Sequence, residues 1–75
     1  MTGLENMDPK LRREYADAYG PFAAGDYQVG QQLRAADVVG EVIWSYHSCD
    51  GRGMVYVVDD ESGFPVEVKA SEVQA

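Results

Sequence analysis

The chain reads as a mainly β protein, a small antiparallel barrel of four to five short strands preceded by one amphipathic α-helix. Three observations lead there. Residues 8–22 carry the punctuation and spacing of a helix. From Gly25 onward, β-branched and aromatic runs alternate with turns rich in glycine and acid. Finally, 75 residues suffice for one small core and no more. The expected organisation is a flexible stretch over 1–7, a packed helix over 8–20 and the barrel over 25–75.

The helix comes first. Asp8 is a capping residue and Pro9 suits the first helical position, where a missing N–H costs nothing. Gly20 followed by Pro21 is a stop. Between them Leu11, Tyr15, Ala18 and Phe22 recur at helical spacing with Tyr19 beside them, while Lys10, Arg12, Arg13, Glu14 and Asp17 mostly take the other side. A helix this short is marginal in water, so its apolar stripe must dock.

The strands follow in order. "YQVGQQLRA" is a short first strand marked by Val29 and Leu33, and "DVVGEVIWSYHS" is a longer second, with Gly40 as its expected bulge or bend. "CDGRG" is a turn built on Asp50-Gly51, and "MVYVVD" is the third strand. "DESG" turns into "FPVEVK", whose Pro65 sets the start of the fourth strand at an edge or bend. "ASEV" closes as one helical turn that delivers Val73 to the core.

In this order "VGQQLR", "GEVIW", "GMVYVVD" and "FPVEVKASEV" resemble the SH3-like barrel over residues 27–75. "GEVIWSY", the glycine before "MVYVV", and "FPVEVKASEV" are also similar in strand order to the small plasmid-borne type B dihydrofolate reductases. Those are SH3-like barrels that build one active site at the centre of a tetramer. The resemblance implies shape and self-association. It does not extend to the chemistry, because their Val-Gln-Ile-Tyr motif is absent and its nearest counterpart is Pro65-Val66-Glu67-Val68. An acidic chain would also repel folate and NADPH, so no cofactor is expected.

Alternation assigns faces. Phe64, Val66 and Val68 lie opposite Pro65, Glu67 and Lys69 in the fourth strand; Met54, Tyr56 and Val58 lie opposite Val55 and Val57 in the third. In the second strand Val38, Val42, Trp44 and Tyr46 share one face and Val39 and Ile43 the other. A small barrel has one interior, so Val39, Ile43, Val55 and Val57 need an outside cover. Each such side chain is worth about 1.5–3 kcal/mol when buried. The helix and a second copy are both expected to supply it, which makes these four a self-association face of a homodimer or higher oligomer.

Charge narrows the partners. Thirteen acids against six bases leave −7, with eight acids and three bases in residues 27–75. That sign opposes nucleic acid and anionic membranes, and it leaves a basic protein or a cationic small molecule. No run approaches the roughly 20 apolar residues of a membrane span. No apolar core follows the N-terminal charges, and a lone cysteine suits a reducing compartment, so the cytoplasm is the expected location.

Few residues suggest chemistry. His47, Cys49 and Asp50 cluster in "HSCDGRG", yet neighbours at a strand end point apart, and an incidental thiol in a loop is the simpler reading. One cysteine and one histidine make half a zinc site, and Asp59-Asp60-Glu61 are turn acids without EF-hand spacing, so no metal site is expected. No phosphate-binding glycine loop occurs. The aromatics Trp44, Tyr46, Tyr56 and Phe64, near Glu41 and Glu67, can form a cation cage or simply fill the core. Tyr46 and Tyr56, with polar tips, are the more suited to reach a ligand. The expected function is a non-catalytic protein-interaction module that self-associates through the apolar strand face. The alternative is a binder of cationic or aromatic small molecules, or an enzyme, with an interfacial site lined by Trp44, Tyr46 and Tyr56.

Overall fold

A computed structural model describes residues 7–35, 38–48, 51, 53–61 and 63–73. The protein is mainly β, with one N-terminal helix and one antiparallel sheet. The helix α1 spans Pro9–Tyr19, and β1 (Gln32–Arg34), β2 (Val39–His47), β3 (Met54–Asp60) and β4 (Pro65–Lys69) follow. The four strands lie in the order β1-β2-β3-β4, and a 3₁₀ turn, Ala70–Glu72, comes after β4. Residues 1–6 of the expected flexible stretch lie outside the described residues, as do Cys49 and Asp50.

The local signals act as their chemistry requires. Asp8 Oδ1 accepts the Lys10 N–H at 2.8 Å, satisfying one orphan donor of the first turn beside Pro9. Gly20 ends the helix at φ 134°, where a side chain would be strained, and its N–H donates to the Ala16 carbonyl. In the β3–β4 turn, Asp60 accepts the Phe64 N–H on Oδ1 at 3.2 Å. Turn acids bonding nearby backbone account for this part of the acidic run. Pro65 is the first residue of β4, an edge strand, where no ladder donor is lost.

The first strand is shorter than its sequence suggests. Only Gln32–Arg34 is strand, and Val29 and Gly30 form a turn ahead of it. Beyond β1, other segments take over the same edge of β2. Val42 bonds Gly30 and Gln31, and the Ala23 N–H donates to the Ser45 carbonyl at 3.0 Å. An isolated bridge also joins Phe22 to Tyr46. A second bridge joins Ala35, just after β1, to Val73, just after the 3₁₀ turn.

Both sheet faces are apolar, but not with the membership alternation predicts. Val42 pairs with Val58, and Trp44, two residues on, pairs with Val57. Ile43 is therefore an extra residue, a β-bulge, and it reverses which face the rest of β2 presents. One face gathers Leu33, Ala35, Val42, Tyr56, Val58 and Val68, with Val73 and Val66 against them. The other gathers Trp44, Tyr46, Val55 and Val57 beneath Tyr15, Ala16, Tyr19 and Phe22. Trp44 and Tyr46 thus leave the face of Val42 and join Val55 and Val57. Gly40, expected to be the bulge, instead sits where a Cβ would overlap the Asp59 carbonyl oxygen. Phe64 lies ahead of β4 and is 69% exposed, so it does not share the interior of Val66 and Val68.

Candidate functional site

The site follows from how α1 is held. Its C-terminal end is clamped to β2: Trp44 Nε1–H donates to the Gly20 carbonyl at 3.0 Å, and Ser45 Oγ–H donates to the Ala23 carbonyl at 2.8 Å. Aromatic rings reinforce the clamp. Phe22 meets Trp44 edge-on at 5.3 Å, Tyr15 lies 5.6 Å from Trp44, and Tyr19 stacks on Tyr46 at 6.1 Å. Such pairs contribute about 0.5–1.5 kcal/mol each beyond the area they bury. Both of these bonds fall at or just beyond the C-terminal end of α1, whereas the Lys10-to-Asp8 bond at its first turn is internal to the helix start. None of the helix residues is fully buried, and Leu11 remains 37% exposed.

Between that first turn and the sheet lies an open cleft of about 350 Å³. Met7 and Asp8 line it from just ahead of the helix, Leu11 and Tyr15 from α1, Glu41 and Ile43 from β2, and Val29 and Gly30 from the turn before β1. Its wall is mostly aliphatic and aromatic. Its two charged liners, Asp8 and Glu41, are both acids, and β-pairing sets Asp59 directly opposite Glu41. Burial pushes the Tyr15 phenol above its ordinary value of 10.0, with smaller contributions from Tyr19, Asp59 and Glu14. At neutral pH Tyr15 therefore presents a protonated hydroxyl and an apolar ring.

The anticipated ligand contacts sit elsewhere. Trp44, Tyr46 and Tyr56 are interior residues, with 2%, 5% and 2% of their surface exposed. Their polar tips are already engaged: Trp44 with Gly20, Tyr56 by accepting the Asp26 N–H at 2.9 Å, and Tyr46 by donating to Glu67. They form no open cage. Glu41 reaches the cleft, and Glu67 supports Tyr46. Of the proposed self-association face, Val55 and Val57 have no exposed surface, Ile43 lines the cleft, and Val39 is 39% exposed. Among the described residues, no cluster of three or more His, Cys, Asp or Glu could hold a metal, and no helix is long and apolar enough to cross a membrane.

Leu11 and Val29 are legible in the sequence as apolar marks but not as cleft residues, and Met7 falls in the stretch expected to be flexible. The available signal was Leu11 standing one turn ahead of Tyr15 on the stripe, beyond the reach of the aromatic clamp. No protein-family description, curated protein or solved structure matches the chain.

Proposed function

We propose that the chain is a non-catalytic protein-interaction module on an SH3-like barrel, and that the cleft between α1 and β2 is its docking surface. The observation that carries the reading is the cleft itself: open, mostly apolar, and lined from α1, β2 and the turn before β1, without a nucleophile and base paired among its lining residues. Its size is at the small end for ligand pockets, which suits one or two side chains of a partner better than a cofactor. The SH3-like reading draws support from the bridge between Ala35 and Val73, which brings the segment after the 3₁₀ turn beside the end of β1, where a closing strand would run.

This moves the interaction surface from the strand face to the helix edge. Stable interfaces bury about 1,200–2,000 Å² in total. With Val55 and Val57 roofed by α1, Val39 and a part-covered Ile43 offer much less. The small-molecule alternative, which needed Trp44, Tyr46 and Tyr56 open to a ligand, loses its lining to the core.

Methyl NMR tests the docking reading. Titration with short peptides of varied sequence should shift the Leu11, Val29 and Ile43 methyls ahead of Val58 and Val68 on the far face. A broad panel that moves none of the three, or moves only far-face methyls, would refute it.

A further inference from the structure

We infer that the occupant of the cleft is a basic segment of another protein, with one aliphatic or aromatic anchor side chain flanked by lysine or arginine. The inference rests on the docking reading above and adds the chemistry of the partner. Leu11, Tyr15, Val29 and Ile43 supply a surface for an apolar anchor, which gains by leaving water. The charged residues that line that surface share one sign. Asp8 and Glu41 line the cleft, Asp59 stands across the strand pair from Glu41, and the chain as a whole carries −7. Lys10, Arg12 and Arg13 of α1 are not among the residues that line it.

Two exposed acids opposed on neighbouring strands destabilise the free protein slightly, and a cation laid between them removes that cost. Tyr15 adds a ring face against which a guanidinium or ammonium can rest. A second copy of this chain suits the cleft poorly. A symmetric dimer across it would set Asp8, Glu41 and Asp59 against their own duplicates. Nucleic acid, being polyanionic, is repelled outright.

The probes are three synthetic peptides without tryptophan that share a central leucine and differ in its flanks: lysine, serine or glutamate. Binding is read by Trp44 emission, since Tyr15 lies on its ring, and by the Leu11 and Ile43 methyls. The lysine peptide should bind at least tenfold tighter than the serine peptide at low salt, lose affinity as salt rises, and leave the glutamate peptide without detectable binding. Glu41→Gln and Leu11→Ser should each weaken it several-fold. Glu61→Gln, the same charge change in the β3–β4 turn, should not. Equal affinity for the lysine and serine peptides at the cleft would overturn the basic-partner inference while leaving the docking reading intact. An equal loss in Glu41→Gln and Glu61→Gln would also overturn it, because attraction would then be a property of net charge alone. Absence of any cleft response to all three peptides would overturn both.

Discussion

At the scale of single residues, the sheet is intolerant where backbones meet and where polar tips are spent. Gly40 is held by its neighbour: any Cβ would collide with the Asp59 carbonyl, which belongs to the β2–β3 ladder and cannot move aside like a side chain. Gly40→Ala should therefore destabilise by about 1–3 kcal/mol. In a domain of this size, each kcal/mol lowers the melting temperature by roughly 4–8 °C. An unchanged thermal melt would contradict the packing described. Ser45 has no exposed surface and its hydroxyl closes on the Ala23 carbonyl. Ser45→Ala should cost about 0.5–1.5 kcal/mol in chemical denaturation, the net value of one such bond. The reciprocal Ala23-to-Ser45 backbone bond remains and keeps the clamp registered.

At the scale of elements, α1 lies over the sheet with Tyr15 against Trp44, and its docking should depend on pH through Tyr15. The Tyr15 phenol titrates above its ordinary value because burial, then Tyr19, Asp59 and Glu14, disfavour the phenolate. A group raised on folding contributes stability that is fully present below its unfolded value, here near 10.0, and is lost as pH rises through the higher folded value. Docking of α1 should hold through neutral pH and weaken above about pH 10. Trp44 emission, which senses Tyr15 across 5.6 Å, should report the release. Tyr15→Phe keeps the ring and removes the ionisation, so its alkaline transition should move higher; an identical profile would show that Tyr15 does not govern docking. At the other end of the helix, Asp8→Ala removes the cap and should cost about 0.5–2 kcal/mol. Hydrogen exchange should show that loss as faster opening of α1 with little change in β3.

At the scale of the whole molecule, most of the apolar surplus of β2 and β3 is covered within one chain, while Val39 stays exposed and Ile43 faces the cleft. Trp44, Tyr46, Val55 and Val57 are roofed by Tyr15, Ala16, Tyr19 and Phe22, and the other face closes on Leu33, Tyr56, Val58 and Val68. A net charge of −7 opposes the approach of a second copy. We expect sedimentation at micromolar concentration to report a monomer, and a dimer whose contacts include Val39 and Ile43 would restore the strand-face alternative.

The sequence alone determined what short-range rules can reach. The cap at Asp8, the stop at Gly20, the acid-built turn at Asp60 and the final 3₁₀ turn each depend on neighbours within about four residues, and the strand cores around Val42, Val57 and Val68 are marked by their β-branched runs. It also established that both sheet faces are apolar and that a helix was at hand to cover one. Which residues share a face was decided by tertiary structure. A one-residue bulge at Ile43 inverts every side chain after it, and a run such as Val-Ile-Trp, apolar at each position, has no alternation to betray the slip. The partners of the buried polar tips were equally hidden, since Trp44, Ser45 and Tyr56 find theirs 24, 22 and 30 residues away. The cleft belongs to the same class. It brings Leu11 and Tyr15 of α1 beside Glu41 and Ile43 of β2, a juxtaposition made by packing that no local pattern encodes.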